Sequence, residues 1–175
     1  IRMRAGVNIL LNDPDALEAF RLANNSIWAS QTSTSLDLNY KIDNFQWRPF
    51  QFAFQLINIE GIINKNHESR AIVDLAWFPT GGGKTEAYLG LIALLSFYRR
   101  IRPETAILEQ GTPSIHTIMR YTLRLLTSDQ ASRLVRAIGA MNIVADINNI
   151  GKNDGFIPFR LGMWIGQDSS PNAFY

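Results

Sequence analysis

The stretch Trp77-Phe78-Pro79-Thr80-Gly81-Gly82-Gly83-Lys84-Thr85 decides how the rest of the chain is interpreted. It follows an apolar run over residues 71–76 and precedes a pattern typical of a long helix. A strand, a glycine-rich turn, a Lys-Thr pair and a helix, in that order, form a phosphate-binding loop. Three glycines let the backbone wrap around a phosphate because no Cβ blocks the approach. The backbone N–H groups and the positive end of the helix then attract the anion.

Each residue type in this stretch has a predicted task. Lys84 supplies a positive charge for the β- and γ-phosphates, and the Thr85 hydroxyl is placed to ligate Mg²⁺. We therefore predict Lys84 and Thr85 as the catalytic residues and ATP with Mg²⁺ as the cofactors. The predicted cofactor-binding set also contains Thr80, Gly81, Gly82, Gly83 and Glu86, although Glu86 is expected chiefly to stabilise the helix dipole. Phe78 replaces a glycine of the general pattern, and a tight ligand-free turn is the alternative.

Length and composition indicate one globular domain. The 175 residues are 46% apolar and 18% charged, which is neither a disordered nor a membrane-spanning composition. Cysteine is absent, which excludes disulfides and thiolate metal sites and leads us to expect a cytoplasmic protein. No apolar run approaches membrane-spanning length, so we expect no membrane segment. The chain begins at Ile1 and breaks off at Tyr175, so we expect it to be a piece of a longer protein.

The remaining pattern predicts helices alternating with strands. Asp13-Pro14-Asp15 is a helix start, and apolar spacing predicts an amphipathic helix over residues 14 to about 30, followed by a loop. Pro49 opens a second helix. Further helices are predicted from Thr85 to about residue 100 and after the capping box at 127–130, and strands at 71–77, 115–119 and 159–165. This order predicts an α/β fold with a parallel sheet and right-handed crossovers, and a phosphate site at the carboxyl end of the first strand.

Two features outside the loop suggest ligand contacts. In Arg48-Pro49-Phe50-Gln51, the Gln51 carboxamide offers a donor and an acceptor side by side, which suits the N6 and N7 edge of adenine. The neighbouring Trp47 and Phe50 either stack on the base or, as we prefer, are buried aromatics at a helix start. Separately, seven arginines stand against three acids between residues 99 and 136. They suit phosphate contacts and solvated helix faces equally well.

These motifs together resemble those of superfamily 2 helicases. The family's first motif corresponds to Pro79-Thr80-Gly81-Gly82-Gly83-Lys84-Thr85, and many members carry an upstream Arg-Pro-x-Gln, here residues 48–51. The next motif is looser, because the usual Pro-Thr-Arg is here Arg120-Tyr121-Thr122. The sequence more specifically resembles the large helicase subunit of the DISARM phage-defence system. The segments that carry this resemblance are 19–24, 47–51, 75–90, 119–127, 162–166 and 170–172.

The resemblance implies the first RecA-like domain of an ATP-driven helicase or translocase. Residues 1–44 would be an N-terminal helical segment and linker, and 45–175 the first, incomplete part of the P-loop NTPase motor domain. Arg48 and Gln51 join the cofactor-binding set. The implied nucleic-acid contacts are Arg120, Thr122, Arg124 and Thr127. The implied partners are nucleic acid, with DNA favoured over RNA, and a subunit of a defence complex.

The acidic pair that such a motor needs for hydrolysis is expected beyond Tyr175. We therefore do not expect this stretch alone to hydrolyse ATP. Two alternatives stay open at this point. One is another class of P-loop NTPase, such as a kinase or transporter ATPase, and the other is a non-catalytic nucleotide-binding scaffold that recruits partner subunits.

Overall fold

The described part of the chain is helical. The computed structural model describes residues 1–32, 45–75, 77, 82–102, 115–120, 128–151 and 158–163. These residues form five α-helices and a short 3₁₀ helix. The elements are α1 (Arg2–Asn12), α2 (Pro14–Thr32), α3 (Pro49–Ile63), the 3₁₀ helix (Glu68–Ala71), α4 (Lys84–Ile101) and α5 (Ser128–Ile147). None of these helices is long and apolar enough to cross a lipid bilayer.

The predicted α/β fold is wrong for this part of the chain, because no described residue lies in a strand and no parallel sheet is present. The segment expected to form the first strand instead follows the 3₁₀ helix as irregular backbone. Its described apolar side chains are exposed to solvent, and Val73 is 93% exposed. An apolar run is ambiguous evidence for a strand, since a strand exists only where neighbouring backbone pairs with it.

Side chains hold the three predicted strand segments in place, rather than strand pairing. Arg2 of α1 binds both carboxylate oxygens of Asp74, with Nη1 and Nη2 each 2.7 Å away. His116 Nε2 lies 3.2 Å from Ser96 Oγ on α4. The Asn142 side chain of α5 accepts from the Phe159 N–H at 2.7 Å and donates to its carbonyl at 3.2 Å. Each of these contacts attaches one residue of its segment to a helix.

The predicted helices are confirmed where local signals were present. Asp13 Oδ1 caps α2 by accepting from the N–H groups of Asp15 at 3.0 Å and Ala16 at 3.1 Å. Pro49 is the first residue of α3, and this helix continues past Gly61 to Ile63. Helix α1 was not predicted from the sequence. That helix has no side-chain cap, no acid in its first turn and no base in its last turn.

Among the described residues, one hydrophobic core lies between the helices. α2 packs against α4 and α5, while α3 packs against both α1 and α4. The core side chains are Ala16, Ala19, Leu22, Ala23, Ile27, Leu56, Ile59, Leu89, Ala93, Leu94, Phe97, Tyr98, Ala137, Met141, Val144 and Ala145. The α2 members recur three and four residues apart, so one stripe of that helix faces the core. The boundary predicted at residue 44 lies outside the described residues and stays a prediction.

Close packing brings the starts of α3 and α4 together. Gly90 on α4 faces Gln55 of α3 and the Trp47 ring, and a Cβ there would lie 3.1–3.2 Å from their atoms. Trp47 also donates from Nε1 to Asn24 Oδ1 on α2, and its ring meets Phe45 edge to face. Trp47 is therefore a packing residue, as the burial alternative predicts. Its position sets the beginning of α3 beside the beginning of α4.

Candidate nucleotide site

The described end of the glycine-rich stretch enters α4 with the backbone geometry that its sequence suggests. Gly83 is the N-cap residue and has φ +85°, in the left-handed region that side chains disfavour. Lys84 and Thr85 are then the first two residues of an 18-residue helix, and Glu86 is the third. The first N–H groups of a helix have no partner inside it, and they carry the positive end of its dipole. This turn can attract an anion.

Two residues at the start of α3 hold the glycine backbone. Arg48 Nη1 donates to the Gly82 carbonyl at 3.0 Å, and Gln51 Nε2 donates to the Gly83 carbonyl at 2.7 Å. Gln51 Oε1 in turn accepts from the Arg48 backbone N–H at 2.8 Å, so this side chain also satisfies a backbone donor at the start of α3. Gln51 is only 4% exposed. Gln51 and Gly83 lie 32 positions apart in the sequence and folding brings them together, while the ligand-binding roles predicted for Arg48 and Gln51 stay predictions.

The predicted contact of Gln51 with adenine stays a prediction. Both ends of its carboxamide already bond to the protein, the oxygen to Arg48 and the nitrogen to Gly83. The amide oxygen has a second lone pair and the amide nitrogen a second hydrogen. What the structure shows directly is that Gln51 joins α3 to the turn before α4.

The first two turns of α5 form another side of the site. Arg133 Nη1 binds Glu86 Oε1 at 2.7 Å, and Arg133 Nε binds Asp129 Oδ2 at 3.0 Å. Thr85 Oγ1 donates to Gln130 Oε1 at 3.3 Å. Sequence reasoning did not include Arg133 or Gln130 in the site. Their only signals were the arginine-rich region and the capping-box pattern, and neither points to α4.

Glu86 is the most enclosed charged residue of the site. It is 8% exposed, and only one of its two carboxylate oxygens bonds to Arg133. The other oxygen, Oε2, is buried and has no hydrogen-bond partner among the described residues. It lies 3.4 Å from the position that a Cβ on Gly83 would take. A buried carboxylate oxygen therefore faces the turn that enters α4.

Three described residues have the chemistry that the predicted phosphates and Mg²⁺ would need. Gly83 supplies the left-handed entry to the helix, and Lys84 adds a positive charge in the same turn. The Thr85 hydroxyl uses its hydrogen toward Gln130, so its oxygen lone pairs remain suited to a hard cation such as Mg²⁺. Among the described residues, no three His, Asp or Glu side chains cluster as a metal site of their own.

The other predicted site residues are only partly described. Thr80 and Gly81 lie outside the described residues, as do Thr122, Arg124 and Thr127. Arg120 is exposed at the end of the irregular segment 115–120. The nucleic-acid contacts therefore stay predictions.

Comparison with known proteins tests the resemblance to the DISARM phage-defence system. The chain is 38% identical to the DISARM protein DrmA of Bacillus paralicheniformis over 183 residues. The chain is similar to a DISARM protein. The aligned region covers 98% of this chain but 16% of DrmA, so the chain spans about one sixth of that relative. No family model and no solved structure matches the chain. The resemblance to DISARM is thus confirmed, and membership of superfamily 2 stays a prediction.

Proposed function

We propose that this chain is the nucleotide-binding part of an ATP-dependent nucleic-acid helicase or translocase that acts in phage defence. Lys84 and Thr85 would hold the phosphates and Mg²⁺, and Arg48 and Gln51 would fix the turn that presents them. When bound, ATP with Mg²⁺ supplies the phosphoryl chemistry that drives such motors. DNA is the favoured nucleic acid.

One observation carries the proposal: the junction where α3 holds the turn that enters α4. Left-handed Gly83 positions the first N–H groups of α4, and two side-chain bonds from α3 anchor the Gly82 and Gly83 carbonyls. Anchored carbonyls keep the backbone N–H groups aimed outward, as a preorganised anion site requires. A glycine turn that served only to connect two elements would not need these bonds.

The similarity to a DISARM protein supports the defence role. We propose that the protein works with other subunits of a defence complex, since the whole-chain resemblance is to one named component. The arginine-rich region around Arg120 would supply nucleic-acid contacts of the kind that hold the backbone without reading sequence.

The test measures ATP hydrolysis by the full-length protein, with and without single-stranded or double-stranded DNA and RNA. We expect DNA to stimulate hydrolysis and Lys84→Ala to lower the stimulated rate by about a hundredfold, the usual cost of losing one charge-stabilising group. Lys65→Ala is the matched control, because Lys65 is exposed in a turn after α3. It should keep the rate. Phage plating on cells that carry each variant provides a parallel readout.

Three results would change the conclusion. Hydrolysis that is unaffected by Lys84→Ala places the nucleotide site elsewhere. Hydrolysis that RNA stimulates and DNA does not reverses the choice of nucleic acid. ATP binding without hydrolysis in the presence of any nucleic acid favours the non-catalytic scaffold.

A further inference from the structure

An acidic side chain lies beside the turn where the proposed site would hold phosphates. Glu86 stabilises the N-terminus of α4, because a negative charge there complements the helix dipole. The same charge opposes an anionic ligand at that N-terminus. Its Oε2 oxygen is buried close to Gly83, so water screens this repulsion poorly.

Arg133 is placed to cancel this repulsion. Its guanidinium bonds to Glu86 Oε1 at 2.7 Å, and the Glu86 side chain is 11% exposed. On its other side Arg133 is held by Asp129 at 3.0 Å, where the carboxylate is 57% exposed and well screened by solvent. The exposed Asp129 thus orients the Arg133 guanidinium, while Arg133 neutralises the buried Glu86 carboxylate.

We propose that Arg133 is a positioning residue of the nucleotide site and that it acts through Glu86. It turns the Glu86 carboxylate toward α5 and neutralises it, which permits a highly charged phosphate chain to bind at the first turn of α4. The inference rests on the proposed function, because it describes the same site. Arg133, 47 positions from Glu86, would thereby join the nucleotide site and help it to select nucleotides by their charge.

The charge argument makes a specific prediction for paired variants. Arg133→Gln leaves Glu86 unneutralised and should weaken ATP binding by about tenfold, which corresponds to about 1.4 kcal/mol. Glu86→Gln removes the buried negative charge and leaves Arg133 paired only with the exposed Asp129, so it should strengthen ATP binding. The double variant Glu86→Gln, Arg133→Gln removes both charges and should restore an affinity within about threefold of the original.

The readout that separates charge from structure is the ligand. Affinities for ATP and AMP are measured by calorimetry with the full-length protein, and thermal unfolding is measured without nucleotide. Because AMP carries less charge, Arg133→Gln should weaken AMP binding by less than about threefold. Arg136→Gln is the matched control, since Arg136 lies one turn further along α5 with no ion pair among the described residues. It should leave both affinities unchanged.

The outcomes separate this inference from the proposed function. If the unmodified protein binds ATP and Arg133→Gln weakens ATP and AMP equally, Arg133 is merely structural and the inference is refuted while the proposed function stands. Failure of the double variant to recover, although it unfolds at the same temperature as the unmodified protein, refutes it too. If the unmodified protein does not bind ATP, both proposals fall.

Discussion

Replacing Gly83 by alanine tests the geometry of the site most directly. Gly83 has φ +85°, and a Cβ built there would lie 2.5 Å from Gln51 Nε2, closer than real contacts allow. The Gln51 side chain must therefore move. Its bond to the Gly83 carbonyl, 2.7 Å in length, is then lost within an almost completely buried environment.

The cost of Gly83→Ala has two parts. A residue with a Cβ in the left-handed region costs about 1–2 kcal/mol. Loss of the hydrogen bond leaves the buried Gln51 amide unsatisfied, at a cost of about 1–3 kcal/mol. Together they lower the free energy of opening this junction by about 3 kcal/mol, which is about a hundredfold in an equilibrium constant.

The assay is amide hydrogen exchange of the full-length protein, read by mass spectrometry on peptides that cover the starts of α3 and α4. Exchange there should accelerate by about a hundredfold in Gly83→Ala. Gly139→Ala is the control, because a Cβ at Gly139 on α5 meets no atom within 4 Å. Alanine inside a helix is favoured over glycine by about 0.5–1 kcal/mol, so exchange in α5 should slow. Unchanged exchange at the α4 start in Gly83→Ala, with the expected slowing in Gly139→Ala, would refute the reasoning.

Two further predictions concern the scaffold. Phe97→Ala removes a fully buried ring from the core and should lower the free energy of unfolding by about 3–5 kcal/mol, as measured by chemical denaturation. Ile143→Ala, at a site 62% exposed, should change the free energy of unfolding by less than about 0.5 kcal/mol. Equal losses in the two variants would contradict the assignment of Phe97 to the core. The hydrogen bond from Arg2 lowers the pKa of the Asp74 carboxyl, so this pair stabilises the fold above the ordinary aspartate pKa of about 4 and loses that contribution as the pH falls further. Arg2→Gln should therefore be less stable than the unmodified protein at pH 7 and equally stable near pH 2, and a difference that persists at pH 2 would show another cause.

The helices with strong local signals could be predicted from the sequence. An aspartate cap followed by proline set the start of α2, and Pro49 set the start of α3. Both signals act within one turn of chain, so they need no knowledge of the rest of the fold. By contrast, α1 has no cap and depends on contact with α3, where a Cβ at Gly6 would lie 2.1 Å from the Leu56 carbonyl oxygen.

The three predicted strands are the main difference between the prediction and the described structure, and the difference has a physical reason. An apolar run such as 71–77 can be a strand only when other segments pair with its backbone, and pairing is a property of the whole fold. Here the backbone of Phe159 bonds to the Asn142 side chain, and the first segment is fixed by the Arg2–Asp74 pair. Neither contact can be deduced from apolar periodicity, since each joins a side chain to a distant part of the chain.

The local sequence accounts for the turn at the start of α4. Glycine adopts the left-handed φ of residue 83 without strain, and Lys84, Glu86 and Ala87 after it favour a helix. The residues that surround this turn are set by long-range packing. Folding brings Arg133 to Glu86 across 47 residues, and the charge balance that results at the site is a consequence of how α5 packs, not of any local pattern.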